Sequence, residues 1–314
     1  MSVFQEKWKA AEPKAPSAIL VNGWELAVSA SRLCPGVPLA VALDTTPRLL
    51  LSQTRQLDTT LLKRVVAETA ELVYSSLFKA MAPTVRAWLP MSTWCRDSLV
   101  RDYRVDSKLC QVTLSPQPIA PRKTEVDQES RPLRAVFVGN DFVRKGGQLL
   151  LELLRGSTRD IMHLTIVSND PLVATMTDGL PVRIVSGLHS ASEVQPYYLD
   201  ADILLFPSLR DQFGHVVAEA MACGVVPLVS DVGGVRDMVI PGRTGVIMPF
   251  RSPALEWERA IRTLYSDRAH LALLSSGSRA YIQERMAISS LDHALYRTLD
   301  ALGVTAKFHP PEHT

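Results

Sequence analysis

Short apolar runs alternate with longer amphipathic segments along the first 115 residues. Runs of consecutive apolar residues predict strands at 18–21, 38–43, 86–89 and 110–114. Apolar residues spaced three or four apart predict helices at 24–33, 60–81 and 92–103. Strands that alternate with helices in this way indicate a parallel sheet covered by helices.

The second half of the chain repeats this alternation more clearly. Strands are predicted at 134–138, 162–167, 182–185, 203–206, 226–230 and 245–248. Helices are predicted at 146–155, 191–200, 214–222, 233–239, 253–266, 268–284 and 287–301. The repetition is typical of a doubly wound domain, so the expected fold class is α/β with two Rossmann-like domains.

A polar, proline-rich stretch separates the two halves. Residues 115–133 contain four prolines and little apolar surface to pack, which is typical of a linker. We therefore expect four regions: an N-terminal α/β domain at 1–115, a linker at 116–133, a C-terminal domain at 134–304 and a tail at 305–314.

The composition narrows the classes of function. A net charge of +2 over 314 residues provides no basic surface for nucleic acid. No apolar run approaches the roughly 20 residues that span a bilayer, and the polar N-terminus has no signal-peptide pattern. The four cysteines stand alone, without a C-x-x-C pair, which favours reduced thiols in a cytoplasmic protein over disulfides or a zinc site.

Two acidic residues flank the beginning of one predicted helix. Asp211 follows the strand at 203–206, Phe213-Gly214 begins the next helix, and Glu219 lies about two turns into it. Exposed amides at a helix start bind anions. Two carboxylates on either side suit a ligand with phosphates in the middle and hydroxyl groups at both ends, which describes a nucleotide sugar.

The sequence DQFGHVVAEAMACG at 211–224 resembles a motif of the group 1 (family 4) glycosyltransferases. That motif reads E-G-F-G-x-x-x-x-E-A-M-A-x-G and contains a Glu-x7-Glu pair. The resemblance implies the GT-B fold and transfer of a hexose-type sugar from a nucleoside diphosphate, with the anomeric configuration retained. It also implies that Glu219 holds the ribose hydroxyls and Asp211 the hydroxyls of the donor sugar.

A second stretch, AVFVGNDFVRKGGQLLLELL at 135–154, resembles the first strand and helix of the family's C-terminal domain. It places Lys145 at the family's phosphate-binding lysine. Asn140 stands where the family has an arginine, and Arg144 is expected to replace it. Cations that face a leaving diphosphate stabilise its developing charge. With a weaker match at 90–118, the resemblance extends over residues 85–305.

The predicted donor site has two catalytic residues, Asp211 and Lys145. Its substrate-binding residues are Arg144, Lys145, Asp211, Phe213, Gly214 and Glu219. No metal and no cofactor are expected, because basic residues and amides would hold the diphosphate of a nucleotide sugar that is itself the substrate.

The N-terminal half departs from the family pattern. Residues 1–17 contain no glycine, the first Gly-Gly pair is Gly146-Gly147, and all seven histidines lie at 163 or later. The family's Gly-rich loop and sugar-facing histidine are therefore missing, and Asp44, Thr45 and Thr46 stand at the corresponding strand end. We expect an incomplete N-terminal domain, short or truncated.

Several alternatives stay open at this stage. The chain can be a divergent enzyme, a donor-binding subunit or gene fragment with weak or no activity, or a sugar-nucleotide epimerase, which would need acid–base residues that the N-terminal half does not show. The expected partners are a nucleotide-sugar donor and an unknown acceptor, which is a glycan, a lipid or a small molecule. A peripheral membrane contact and a partner subunit stay open, and nucleic acid is excluded.

Overall fold

A computed structural model describes residues 17–57, 61–114 and 131–286, with five further residues between 297 and 303. Contacts divide the chain into two compact units. The first comprises the described parts of Met1–Met91, Cys95–Thr113 and Asp292–Thr314, and the second those of Ser92–Trp94 and Leu114–Leu291. Three predicted segments lie largely outside the described residues, so the predicted domain boundaries stay predictions: the linker at 116–133, the last helix at 287–301 and the tail at 305–314.

The first unit is built on a three-stranded parallel sheet in the order β1-β2-β3. Its elements are β1 (Ile19–Asn22), α1 (Trp24–Leu33), β2 (Leu39–Leu43), α2 (Pro47–Leu57), α3 (Leu61–Met81), β3 (Val85–Pro90) and α4 (Thr93–Tyr103). The apolar side chains of the central strand β2 are buried on both faces, as expected for a parallel sheet between helices.

An aromatic cluster in the first unit holds the helices on the sheet. The ring of Phe78 on α3 lies 5.3 Å from Trp88 on β3, 6.3 Å from Trp24 on α1 and 4.3 Å from Tyr103 on α4, measured between ring centroids. Phe78 and Trp88 are fully buried. Such aromatic pairs contribute about 0.5–1.5 kcal/mol each beyond the area that they bury.

Two details of the first unit differ from the sequence predictions. The predicted strand at 110–114 is wrong, because the segment forms no regular strand. Cys110 makes an isolated bridge with Trp88, and the amides of Gln111 and Thr113 donate to the carbonyls of Trp88 and Pro90 at 2.9 Å. Helix α2 was not predicted. It begins at Pro47, with the Thr46 hydroxyl accepting a hydrogen bond from the Leu49 amide at 3.4 Å. Proline at the first helical position is a known helix-start signal.

The second unit contains a six-stranded parallel sheet in the order β6-β5-β4-β7-β8-β9. The strands are β4 (Leu133–Val138), β5 (Met162–Val167), β6 (Val182–Val185), β7 (Ile203–Phe206), β8 (Val226–Ser230) and β9 (Val246–Met248). The helices are α5 (Gly147–Arg155), α6 (Leu172–Met176), α7 (Ala191–Asp200), α8 (His215–Ala222), α9 (Ala254–Ser266) and α10 (Arg268–Arg285). Every residue of β7 and β8 is buried, which explains their uninterrupted apolar sequences.

The order of the strands creates a crevice between β4 and β7. From β4 the chain adds β5 and β6 on one side, and from β7 it adds β8 and β9 on the other. The loops after β4 and β7 therefore diverge, and ligands of open α/β sheets bind at such a switch point, outside the carboxyl ends of the strands.

Three further observations complete the second unit. The predicted helix at 233–239 is wrong, since only Val235–Asp237 forms a single 3₁₀ turn. The short helix α6 was not predicted. Within the described ranges, none of the helices of either unit has the length and hydropathy needed to span a membrane.

Candidate functional site

Two loops meet at the crevice between β4 and β7. The Leu209 amide donates to the Arg144 carbonyl at 3.0 Å, and Nη1 of Arg144 donates to the Arg210 carbonyl at 2.7 Å. Gly146 has φ +87°, and a Cβ at this position would overlap the backbone carbonyl of Pro207. The close approach of the loops therefore requires glycine at 146.

Lys145 and Asp211 form an ion pair across this crevice. Nζ of Lys145 donates to Oδ2 of Asp211, and the two side chains are only 16% and 10% exposed. Nζ also lies 5.2 Å from the ring centroid of Phe206 at the end of β7. A lysine ammonium has three donors, so the pair with Asp211 leaves it the capacity to bind an anion in the same crevice.

The loop at 233–234 packs against the backbone of Asp211 and Gln212. The Gly234 amide donates to the Gln212 carbonyl at 2.7 Å. Gly233 has φ +56°, and a Cβ there would overlap the Asp211 carbonyl. Two small residues in succession thus allow this loop to pack directly on the backbone that carries the Asp211 carboxylate.

Arginines and a second aspartate surround the ion pair. Nε of Arg144 donates to Asp141 at 2.6 Å. Burial raises the pKa of the Asp141 carboxyl, but the hydrogen bonds from Arg144 outweigh it and leave that pKa below its usual value. Burial, and next the charge of Arg144, lower the pKa of the Arg210 guanidinium. Arg210, which the sequence analysis did not single out, therefore lies in the same electrostatic cluster.

The start of α8 presents backbone amides beside these charges. Gly214 caps the helix with φ +87°, and the Phe213 side chain is buried in the core. Within the described part of the chain, no acceptor bonds the amides of Phe213 and Gly214. Amides at a helix start attract anions, so Phe213 can contribute its backbone to a ligand while its ring holds the loop in place.

A pocket of about 330 Å³ opens beside Glu219, lined by the ends of β4 and β5, the loop before α7 and one side of α8. Gly139 and Asn140 line it at the end of β4, and a Cβ on Gly139 would lie 3.2 Å from Cγ of Lys145. The stem of Lys145 therefore adjoins the wall of the pocket, which links the ion pair to Glu219.

Asn140 and Asn169 form part of the pocket wall. Asn169 accepts from the Gly187 amide at 2.7 Å and donates to the Leu188 carbonyl at 2.8 Å. Oδ1 of Asn140 accepts from the Asn169 amide at 2.9 Å. Asn140, at the position of the family's arginine, thus helps to build the loop that borders the pocket.

The structure therefore brings Arg144, Lys145 and Asp211 together and places Glu219 on the pocket. The roles of these residues, and of Phe213 and Gly214, stay predictions. The contributions of Arg210, Asn169 and Tyr198 were not predicted from the sequence. Tyr198 donates its phenol hydrogen to Oε2 of Glu219 at 2.9 Å. No motif marks these three residues, because their roles depend on loops and helices that meet only in the fold.

The chain contains one Asp-x-Asp sequence, at Asp200 and Asp202, so the expectation of no metal cannot rest on the absence of such a pair. Arg131 binds the buried Asp202 at 2.8 Å, and Arg134 binds Asp200 at 2.8 Å. Both carboxylates precede β7, at the opposite end of the strand from the crevice. Among the described residues, no group of three or more His, Cys, Asp or Glu side chains is placed to hold a metal ion.

Comparison with known proteins identifies the family of the second unit. Residues 132–267 match the family described as "Glycosyl transferases group 1". D-inositol 3-phosphate glycosyltransferase of Xylanimonas cellulosilytica is 37% identical over 154 residues, which cover 46% of this chain and 37% of that protein. Residues 132–267 are a group 1 glycosyltransferase domain. The match confirms the resemblance noted in the sequence, and the chain aligns with less than two fifths of the length of this relative.

Solved structures of glycosyltransferases are similar in fold to most of the chain, beyond the matched domain. Sucrose-phosphate synthase from Thermosynechococcus elongatus gives a TM-score of 0.75 at 22% identity, covering 95% of this chain and 77% of that chain. Anabaena HepE in complex with UDP-glucose gives a TM-score of 0.67 at 15% identity, covering 90% and 78%. These likenesses confirm the predicted α/β class and GT-B fold.

Proposed function

We propose that this protein transfers a hexose-type sugar from a nucleoside diphosphate to an acceptor and retains the anomeric configuration. The observation that carries the proposal is the position of the Lys145–Asp211 pair at the switch point of the sheet, next to a pocket that ends at Glu219. Glu219, Lys145 and Asp211 thus lie in the order in which a nucleotide sugar presents its ribose, its diphosphate and its sugar.

The nucleoside occupies the pocket beside Glu219 in this proposal. The volume of about 330 Å³ is at the small end of the range for ligand sites. The base lies against the loop that Asn169 holds, and the ribose hydroxyls donate to the carboxylate of Glu219. Hydroxyl groups that bond a charged acceptor away from bulk water gain more than they do in water.

The diphosphate lies across the crevice. Lys145 and the amides of Phe213 and Gly214 bind it, and Arg144 adds a donor. Nε and Nη1 of Arg144 already bond Asp141 and the Arg210 carbonyl, but no acceptor among the described residues bonds Nη2. These charges stabilise the diphosphate as the glycosidic bond breaks, and they require no cofactor.

Asp211 holds the hydroxyl groups of the donor sugar. Its carboxylate is paired with the Lys145 ammonium. A sugar attached to a diphosphate that Lys145 binds therefore lies close to the Asp211 carboxylate. The acceptor is a glycan, a lipid or a small molecule.

A second candidate is a donor-binding subunit with weak or no transfer activity of its own. It is favoured by the first 130 residues, which contain no histidine and no Gly-Gly pair. Transfer needs more than donor binding, because the acceptor must be held against the donor and water must be excluded from the site.

The two candidates separate in one assay. Purified protein is incubated with UDP- and GDP-linked hexoses, and donor binding and nucleoside diphosphate release are both followed. The first candidate predicts binding and release that depend on Lys145, tested with Lys145→Met against the exposed Lys79→Met as a control. Binding without release supports the second. Failure to bind any donor contradicts both.

A further inference from the structure

The carboxylate of Glu219 is held by a buried phenol. Tyr198 on α7 donates to Oε2 of Glu219 at 2.9 Å, and only 1% of Tyr198 is exposed. In the described part of the chain, no other side chain or amide donates to this carboxylate. Oε1 and the second lone pair of Oε2 therefore stay available to a ligand in the pocket.

The two neighbouring tyrosines of α7 have different surroundings. Tyr198 points into the interior, whereas the ring of Tyr197 lies 5.6 Å from the guanidinium of Arg183. Burial, and next the charge of Glu219, raise the pKa of Tyr198 well above that of a free phenol. The phenol therefore keeps its proton at neutral pH and remains a donor to Glu219.

The helix that carries Tyr198 also borders the pocket at its other end. Ser190 and Glu193 form a capping box at the start of α7, and His189, Ser190 and Ala191 line the pocket. The position of α7 thus fixes both the loop beside the pocket and the phenol that bonds Glu219. A glutamate with three side-chain torsions gains a defined orientation from this one bond.

We propose that Tyr198 is a positioning residue that holds Glu219 in the orientation that accepts both ribose hydroxyls, so that the site selects ribonucleotides. The inference rests on the proposed function of the pocket. Without the phenol, the Glu219 side chain samples several rotamers, and the geometry for two simultaneous hydroxyl bonds is lost.

The test compares Tyr198→Phe with Tyr197→Phe, which removes the same hydroxyl from the adjacent residue. Dissociation constants are measured by calorimetry for UDP and for 2′,3′-dideoxy-UDP, with GDP and its dideoxy form in parallel. We expect the wild type to prefer the ribose form by about tenfold or more, the gain from hydroxyl bonds to a charged acceptor. In Tyr198→Phe this preference falls to about threefold or less, and in Tyr197→Phe it stays at the wild-type value.

The ratio separates positioning from a loss of folding. A merely structural effect weakens binding of the ribose and dideoxy forms equally and leaves the preference unchanged, which overturns the inference. Combining Tyr198→Phe with Glu219→Ala adds a second check, because no side-chain acceptor then remains for the phenol to orient, and the loss of the phenol should have no further effect on the preference. A wild type that binds neither diphosphate overturns the proposed function as well.

Discussion

Replacing Lys145 by methionine isolates the charge of the ammonium from the bulk of the side chain. Methionine preserves the apolar stem that passes Gly139, so packing at the wall of the pocket changes little. The ion pair with Asp211 is lost, and the diphosphate then meets the Asp211 carboxylate without the intervening cation.

The expected size of the effect follows from the burial of the pair. A hydrogen bond to a charged group contributes about 1.5–3 kcal/mol, and the mostly buried position of Lys145 favours the upper half of this range. Repulsion between Asp211 and the diphosphate adds to the loss. We therefore expect Lys145→Met to weaken UDP or GDP binding by about 100-fold, which corresponds to about 2.7 kcal/mol.

The assay is a calorimetric titration with the diphosphate and with the corresponding nucleoside. Uridine or guanosine should bind Lys145→Met as it binds the wild type, since neither reaches the crevice. The exposed Lys79→Met serves as the matched control and should change neither affinity. Equal losses for nucleoside and diphosphate would mean that Lys145 acts through the fold, and unchanged diphosphate affinity would remove it from the site.

A double-mutant cycle with Asp211→Asn tests the repulsion directly. Asp211→Asn alone should leave the affinity for bare UDP or GDP unchanged or higher, because a competing anion is removed. In the Lys145→Met background it should recover part of the lost affinity. Additive effects would contradict the coupling of the two side chains in the crevice.

Three further perturbations have defined outcomes. Glu219→Ala should weaken UDP or GDP binding by about 1–3 kcal/mol in calorimetry, whereas the exposed Glu152→Ala on α5 should not, and equal effects would contradict a specific role. Gly146→Ala should lower the free energy of unfolding by about 2–4 kcal/mol in urea titrations, because it adds left-handed strain to an overlap with Pro207; an unchanged midpoint would show that the loops are not in contact. Turnover should survive EDTA, since Lys145 and Arg144 provide the positive charge, and activity lost to EDTA and restored by Mg²⁺ would contradict this.

The sequence was sufficient to predict those parts of the fold that depend on local pattern. The apolar runs that become β4, β5, β7 and β8 are buried strands, and their periodicity differs from that of the intervening helices. The acidic pair at 211 and 219 was found because both residues lie close in sequence to one helix start. Comparison confirmed the family, while the roles of the individual residues await experiment.

What the sequence could not predict depends on contacts between distant segments. The backbone of 233–234 packs against Asp211, and the segment that follows forms one turn where periodicity predicted a longer helix. Residues 110–114 have the composition of a strand, yet the segment contacts β3 only through one isolated bridge and two amide hydrogen bonds and forms no regular strand. Nothing in the local sequence distinguishes Tyr198 from Tyr197, although only one of them reaches Glu219.

The most direct test of the account is a calorimetric titration of the wild type with UDP- and GDP-linked hexoses, repeated with Glu219→Ala and Lys145→Met. We expect the wild type to bind at least one of these donors and each substitution to weaken the binding at least about fivefold, which corresponds to about 1 kcal/mol. Absence of binding to every donor, or binding that neither substitution changes, would contradict the assignment of the crevice and its adjoining pocket as a nucleotide-sugar site.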